Sequence, residues 1–494
     1  MAQVALDTTA DFTGGLNLRA DQFKIAPNES PWMLNMEVDP AFGVRSRKGW
    51  IDWATVGSTG WDPRNLYSHV LGDGAEWLFL ASDGEMWANG AGTFVKATGV
   101  DATATPHGAD FAPWSDDYTA PIGNQMPSAD FCAVHDGYLW VASTQESGAS
   151  HPFRIRFSHP NDPDSWALLD FIDFPEGGGP ITGIMPYRDH LLIFFPQAVW
   201  ALYGSNTDTW AKANVTKTVG AANRQCLTRS ESAVYFTSWP DGVYMITAES
   251  VDEVSASLRP AFKSGNFNSD PDNQWLCWAN QKLYWSVPYD ENGAPTAPTS
   301  TFVYDPSIRA WVLWRAGDGR AVAPIVGSVS ADLPLGCSRT EKTVLKLDAI
   351  DVPTDTLDAV NYNFPTVVRT SWQDSGMPTI KKRWKRPDVI VRETDTDYVL
   401  TMYVFHNLQE TGARRTRTVQ FTASSSNLIW DDNQSIVWDD ASAYLWGTKS
   451  QGSAVERTGG LGSTPSVQLE FHGEAGKAWG LNGIVYKSII RRIR

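Results

Sequence analysis

The chain is short of cysteine, of charge and of long apolar runs, and each shortage excludes a class of protein. Its 494 residues hold four cysteines, Cys132, Cys226, Cys277 and Cys337. They lie far apart and form no C-x-x-C pair, which argues against a zinc site or a disulfide framework and for scattered buried thiols. Charged residues make up 19 % and hydrophobic residues 42 %, a balance that excludes a wholly disordered chain and a coiled coil. The longest apolar stretch, 190–195, is interrupted by Pro196 and Gln197 far short of a membrane span. The opening MAQVALDTTADF has no basic n-region and no apolar h-region, so no secretory signal is expected. Glycine (40) and proline (29) recur throughout and disfavour long helices. Catalytic signatures are missing as well: there is no G-x-S-x-G elbow, no H-E-x-x-H and no P-loop.

What the chain has in excess is tryptophan, 23 residues, alongside 15 Tyr and 21 Phe. A turn-rich, aromatic-rich chain points to all-β architecture. One pattern recurs: an apolar strand, a tight turn, then a strand carrying Trp or Tyr. It appears at 77–87, 131–140, 190–200, 234–244 and 275–285, with a weaker copy at 335–347. Asp83-Gly84, Asp136-Gly137 and Asp241-Gly242 supply the positive-φ positions that tight hairpins need. The spacing of Trp87, Trp140, Trp200, Tyr244 and Trp285 suits four-stranded propeller blades with variable outer loops, in which flat aromatics pack blade on blade. The expected architecture is a β-propeller of five or six blades over 60–350; the competing reading is a set of unrelated hairpins in β-sandwiches. Residues 1–59 read as an N-terminal arm with the first strands. Residues 351–362 are poor in large apolar side chains and read as a linker.

After the linker the texture changes. Strand patterns at 389–392, 398–405 and 467–472 predict a β-sandwich-like domain over 363–494, with the N-terminal arm as a candidate to complete it. The repeated Trp430-Asp-Asp and Trp438-Asp-Asp, followed by Tyr444-Leu-Trp446, suggest a Trp-rich protruding hairpin. The cluster Lys381, Lys382, Arg383, Lys385 and Arg386 surrounds Trp384. Alternation in a strand places Lys382, Trp384 and Arg386 on one face and Lys381, Arg383 and Lys385 on the other. The cluster is the candidate subunit interface; the plainer alternative is a charged edge strand that discourages unwanted pairing.

No catalytic, cofactor-binding or metal-binding set is expected. The eight histidines, His69, His107, His135, His151, His159, His190, His406 and His472, have no partners at metal-ligand spacing. A glycosidase propeller needs convergent carboxylates, and the nearest approach to a sialidase-type Asp box, 82–87, has the wrong spacing. Asn161-Asp-Pro-Asp164 and Asp270-Pro-Asp272 lack the glycine and terminal glutamate of a calcium loop and read as turns.

The net charge of −16 is uneven. Residues 1–362 hold 23 basic and 43 acidic residues, a net of −20, and 363–494 hold 17 and 13, a net of +4. An acidic chain is ill suited to gripping DNA by its phosphates. Several segments resemble a known family: Asp11-Phe-Thr-Gly-Gly-Leu-Asn17, Ala26-Pro-Asn-Glu-Ser-Pro31, Leu34-Asn-Met36 and Gly43-Val-Arg-Ser-Arg-Lys-Gly49 near the start; Arg156-Phe-Ser-His-Pro-Asn-Asp-Pro-Asp-Ser-Trp166 and Val199-Trp-Ala-Leu-Tyr-Gly204 in the middle; Gly476-Lys-Ala-Trp479 to Arg491-Arg-Ile-Arg494 at the end. They resemble the tail nozzle, or tail tubular B-type, minor tail proteins of tailed bacteriophages, especially short-tailed ones. The resemblance implies a structural virion protein with a propeller, made in the host cytoplasm. It implies a homo-oligomer, commonly a hexamer, stacked below portal and adaptor, enclosing the DNA channel and taking part in genome retention and ejection without binding DNA specifically. The alternative is a minor tail protein that binds a host receptor or glycan.

Overall fold

The structure is a computed structural model. It describes residues 4–490, leaving out 97–125, 429–444, 447–452 and shorter stretches of at most six residues. The protein is all-β, and its contacts divide it into two units: residues 52–303 with 319–347, and residues 1–51 with 304–318 and 348–494.

The first unit is a six-bladed β-propeller. Each blade starts from an inner strand: Pro63–Val70, Ser128–His135, Gly183–Tyr187, Leu227–Arg229, Trp275–Ala279 and Val322–Gly327. Blades 1 to 4 are four-stranded antiparallel meanders in sequence order. Blade 6 takes its outer strand from early in the chain, from Gly49–Thr55, and the Val56 amide donates to the Lys342 carbonyl at 2.8 Å. The turns explain the hairpins. Asp136 (φ 50°) and Gly137 (φ 79°) form the two-residue turn between His135 and its partner Tyr138. Asn280 and Gln281, both at positive φ, do the same between Ala279 and Lys282. The expected Asp83-Gly84 turn lies outside the described residues.

Packing shows the radial arrangement. Trp140, Phe157 and Tyr138 of blade 2 pack in one cluster with Ile184, Leu191 and Ile193 of blade 3. Met185, Leu192 and Phe194 of blade 3 pack with Leu227, Val234 and Phe236 of blade 4. Leu66, Leu80 and Trp87 of blade 1 pack with Leu335, Cys337 and Val344 of blade 6, so the last blade closes on the first. A strand whose two faces both contribute to cores reads as a continuous apolar run, and His190–Phe194 is buried at every position. Each aliphatic side chain buried this way contributes about 1.5–3 kcal/mol.

The aromatic repeat counted the blades but blurred their phase. Trp87, Trp200 and Tyr244 lie on third strands, Trp140 and Trp285 on second strands, and the weak copy at 335–347 covers the second and third strands of blade 6. The pattern of strand, turn and aromatic strand fits either hairpin of a blade, which is why the spacing alternates.

The second unit is a β-sandwich-like body of two sheets. One runs in the order Ser453–Arg457, Asp388–Arg392, Gly480–Ile490, Lys382–Trp384, Gly462–Thr464, and the N-terminal strands Val4–Ala10 and Gly43–Ser46 also pair with Gly480–Ile490. The other includes Ala310–Trp314, Trp32–Leu34, Val367–Arg369, Val467–Gly473, Tyr398–His406 and Arg415–Phe421. Hydrogen bonds tie the sheets together: Tyr486 Oη to Thr370 Oγ1 (3.0 Å) and Trp479 Nε1 to Thr366 Oγ1 (2.7 Å).

Two expected boundaries move. Residues 304–318 belong with the sandwich, although the propeller reading extended to 350. The expected linker 351–362 holds the hairpin Thr354–Leu357 and Val360–Asn363. An ion pair anchors this hairpin, beside the buried Leu357. Arg47 and Asp355 are both wholly buried, and the five Arg47 guanidinium hydrogen bonds reach Asn35 Oδ1, the Lys48 and Arg315 carbonyls and both Asp355 oxygens, at 2.7–3.0 Å. Asp355 also accepts from the Trp50 and Gly317 amides. The guanidinium lies 3.6 Å from the centre of the Phe364 ring and 4.2 Å from that of Trp50. Every guanidinium nitrogen and both carboxylate oxygens are thus engaged, the condition under which a buried ion pair is tolerated.

Candidate functional site

The six inner strands of the propeller surround a cavity of about 580 Å³. A fixed geometric reason puts side chains there: alternate residues of each inner strand face the central axis. Three arginines line it, Arg64 from blade 1 and Arg224 and Arg229 from blade 4. Aromatic surface is contributed by Tyr67, Trp275 and Trp278. No aspartate or glutamate is among the described lining residues. The surroundings hold the aromatics in place. Trp278 stacks on Tyr235, with planes 7° apart and centroids 5.4 Å apart. Trp275 Nε1 donates to the Arg64 carbonyl, and the Arg339 guanidinium lies 5.5 Å from the Trp275 ring centre. Arg64 pairs with Asp62 at 2.6 Å, and Arg339 reaches the same carboxylate at 3.4 Å. Burial, with Arg64 nearby, holds the Arg339 pKa below its ordinary value in spite of Asp62. Arg229 donates to the Pro186 carbonyl at 3.2 Å, a contact that leaves its charge uncompensated by that partner.

Other charged clusters act as framework. In blade 2, Glu146 accepts from Thr144 (2.7 Å), Arg154 (3.0 Å) and Arg156 (3.0 Å), and Arg154 forms a two-pronged pair with Asp173. Burial pushes the Glu146 pKa up, but the Thr144 hydrogen bond and the two arginines together hold it below its usual value. The buried Arg156 also clamps the Ala167 and Leu168 carbonyls. Burial likewise works to raise the Glu470 pKa, and His472 and Arg369 together hold it low. Cys226 is buried and its pKa is pushed up to about 12, so it is no nucleophile at neutral pH.

His135 and His190 lie near enough for each to feel the other's charge, but among the described residues no third ligand-type side chain completes a set with them. His135 and His190 each sit beside a neighbouring aspartate, His406 bonds the Leu461 carbonyl, and His472 bonds Glu470. Among the described residues no three His, Cys, Asp or Glu side chains gather as a metal site. Asp270 caps the short turn 271–273 by accepting from the Asp272 amide. The Trp430 and Trp438 repeats, Pro163 and Asp164 of the turn that begins at Asn161, and the closing segment 491–494 lie outside the described residues. No helix among the described residues is long and apolar enough to cross a membrane.

The basic cluster divides. Lys382 and Trp384 are buried, while Lys381, Arg383, Lys385 and Arg386 are exposed. Lys382 Nζ donates to the Ile380 and Pro465 carbonyls at 3.0 and 2.9 Å, and burial lowers its pKa. The predicted alternation holds for 382 and 384, but Arg386 falls after the strand ends and turns outward. The strand is no edge: Lys382–Trp384 pairs with Gly462–Thr464 on one side and Gly480–Ile490 on the other. Its charge therefore does not serve to block pairing.

Sequence reasoning singled out these lysines because they are contiguous. It missed the cavity arginines, which are scattered in the linear chain, and Arg47, which there reads as one of three neighbouring surface charges with Arg45 and Lys48. The one signal for Arg47 was its place within Gly43-Val-Arg-Ser-Arg-Lys-Gly49.

No family model and no curated protein matches the chain. Among solved structures it is similar to the β-propeller domain of Cps50 (Swd1) from Myceliophteria thermophila, at 8 % identity and a TM-score of 0.30, covering 60 % of this chain and 99 % of that one. It is also similar to the extracellular domain of the protein described as one-component system BT4673 from B. thetaiotaomicron, at 10 % identity and a TM-score of 0.31, covering 76 % of this chain and 46 % of that one. Likenesses this low carry no weight. The propeller rests on its strand order and on the packing of blade against blade.

Proposed function

We propose that the chain is a structural component of a phage tail, a nozzle-type ring below portal and adaptor that encloses the DNA channel. One observation carries this reading. The N-terminal segments that resemble tail nozzle proteins contain Asn35 and Arg47, and these two residues hold the buried polar junction of the sandwich. Asn35 receives the Arg47 and Arg315 donors and gives its own amide to the Pro365 carbonyl at 2.9 Å. The likeness thus falls on a determinant of architecture, as suits a protein whose work is shape.

A closed ring of identical subunits, taken here as a hexamer, needs two different complementary surfaces on each copy. The exposed Lys381, Arg383, Lys385 and Arg386 supply one; the acidic excess of 1–362 supplies candidates for the other and for a channel wall that DNA slides past. Electron cryomicroscopy of the purified protein mixed with portal and adaptor, or of the virion, tests this. Closed coaxial rings are the expected result. A monomer that joins no tail assembly, or tight binding of duplex DNA at physiological salt, overturns the reading.

A further inference from the structure

We propose that the central cavity of the propeller binds an acidic sugar, a one- or two-ring saccharide carrying a carboxylate. The proposal stands independently of the tail assignment, because it concerns only the propeller's own residues.

Charge is the first ground. The chain carries a net −16, and acidic residues outnumber basic ones almost two to one before residue 363. Against that background the described cavity lining holds three arginines and no carboxylate. Arginine presents a planar fork that matches a carboxylate with two parallel hydrogen bonds. The three come from blades 1 and 4, so they approach the cavity from different sides of the ring. Asp62 shares one negative charge between Arg64 and Arg339, which leaves these two with a net positive charge.

Shape and surface are the second. Pockets that hold small ligands enclose roughly 300–1,000 Å³, and about 580 Å³ accommodates one or two pyranose rings. Tyr67 and Trp278 offer flat apolar faces on which the C–H face of a sugar ring packs, with the buried Trp275 behind them, while hydroxyls remain for polar neighbours such as Thr228 and Gln225. The stacking of Trp278 on Tyr235 fixes that face before any ligand arrives, which reduces the ordering cost of binding. No carboxylate among the described lining residues is present to act as acid or base, so retention of the sugar, not its cleavage, is what these residues support.

The test uses the full chain and a matched pair of disaccharides, cellobiose and its uronic acid counterpart, with inorganic phosphate as a bare anion. Titration calorimetry and intrinsic tryptophan fluorescence report binding. We expect the uronic acid to bind about tenfold or more tighter than cellobiose, since hydrogen bonds between a guanidinium and a carboxylate are stronger than neutral ones. Arg229→Gln, at an exposed residue, should lose about that factor with an unchanged far-UV spectrum and thermal midpoint; Arg64→Gln serves as the second variant. Equal affinity for the two disaccharides overturns the proposal. So does binding of phosphate as tight as that of the uronic acid, no binding of either sugar at millimolar concentration, or wild-type affinity in both arginine variants.

Discussion

The two units reach stability by opposite routes. The propeller is assembled mostly from neighbours in sequence: blades 1 to 4 are runs of hairpins, core clusters join blade 2 to 3 and 3 to 4, and only the closure of blade 6 on the early strand and on blade 1 is long-range. The sandwich is assembled from distant pieces. Residues 35, 47, 315, 317 and 355 meet at one buried ion pair, and the strand Val4–Ala10 lies beside Gly480–Ile490. Stability spread over many similar contacts tolerates small losses, whereas stability gathered at one polar junction does not.

Breaking that junction is expected to have the largest effect. Arg47→Ala leaves the Asp355 carboxylate buried without its partner and should cost about 3–5 kcal/mol. Hydrogen exchange followed by mass spectrometry should show lost protection at 367–369 and 467–473 while 190–194 stays protected. Equal loss in both units would erase the contrast between them.

Lys382→Met should come next, at about 1–3 kcal/mol, because the Ile380 and Pro465 carbonyls lose their donor. A denaturation midpoint equal to wild type would return Lys382 to the surface cluster. In the propeller, Ile193→Val removes one methylene from between blades 2 and 3 and should cost about 0.5–1.5 kcal/mol. Exchange should rise locally there and nowhere in the sandwich.

Acid should act on the propeller through Glu146. Its pKa is held low in the folded protein, so the unfolded state binds the proton more readily. The stabilisation is therefore present above the unfolded value of about 4.3 and is lost as pH falls through the lower folded value. Urea midpoints taken from neutral pH downward should fall across that window, and Glu146→Gln should flatten the dependence. A variant with the wild-type pH slope would remove Glu146 as the cause.

Reversing the charge of Lys381, Arg383, Lys385 and Arg386 should have the smallest effect on the folded subunit, within about 0.5 kcal/mol for each exposed position. Its consequence belongs to assembly. Native mass spectrometry should show the proposed ring weakened, and raising salt should weaken the proposed wild-type ring in the same direction by screening. Normal assembly of the reversed protein would leave these residues as solvated charge.

Sequence by itself determined the features that depend on near neighbours. The Asp136-Gly137 turn, the all-β class, the five aromatic hairpins and the inward placement of Lys382 and Trp384 follow from turn chemistry and strand alternation, which act over a few residues. Only tertiary structure decided which hairpin of a blade each aromatic occupies, since second and third strands share one local pattern. It also decided that 304–318 joins the sandwich and that 354–363 is a hairpin held by Asp355. Low apolar content reads as a linker until the buried partner, Arg47, is seen far away at the other end of the chain. The cavity is the clearest case. Arg64, Arg224 and Arg229 are ordinary surface charges in the linear chain, and they acquire a common cavity because a closed ring of blades turns every inner strand toward one axis.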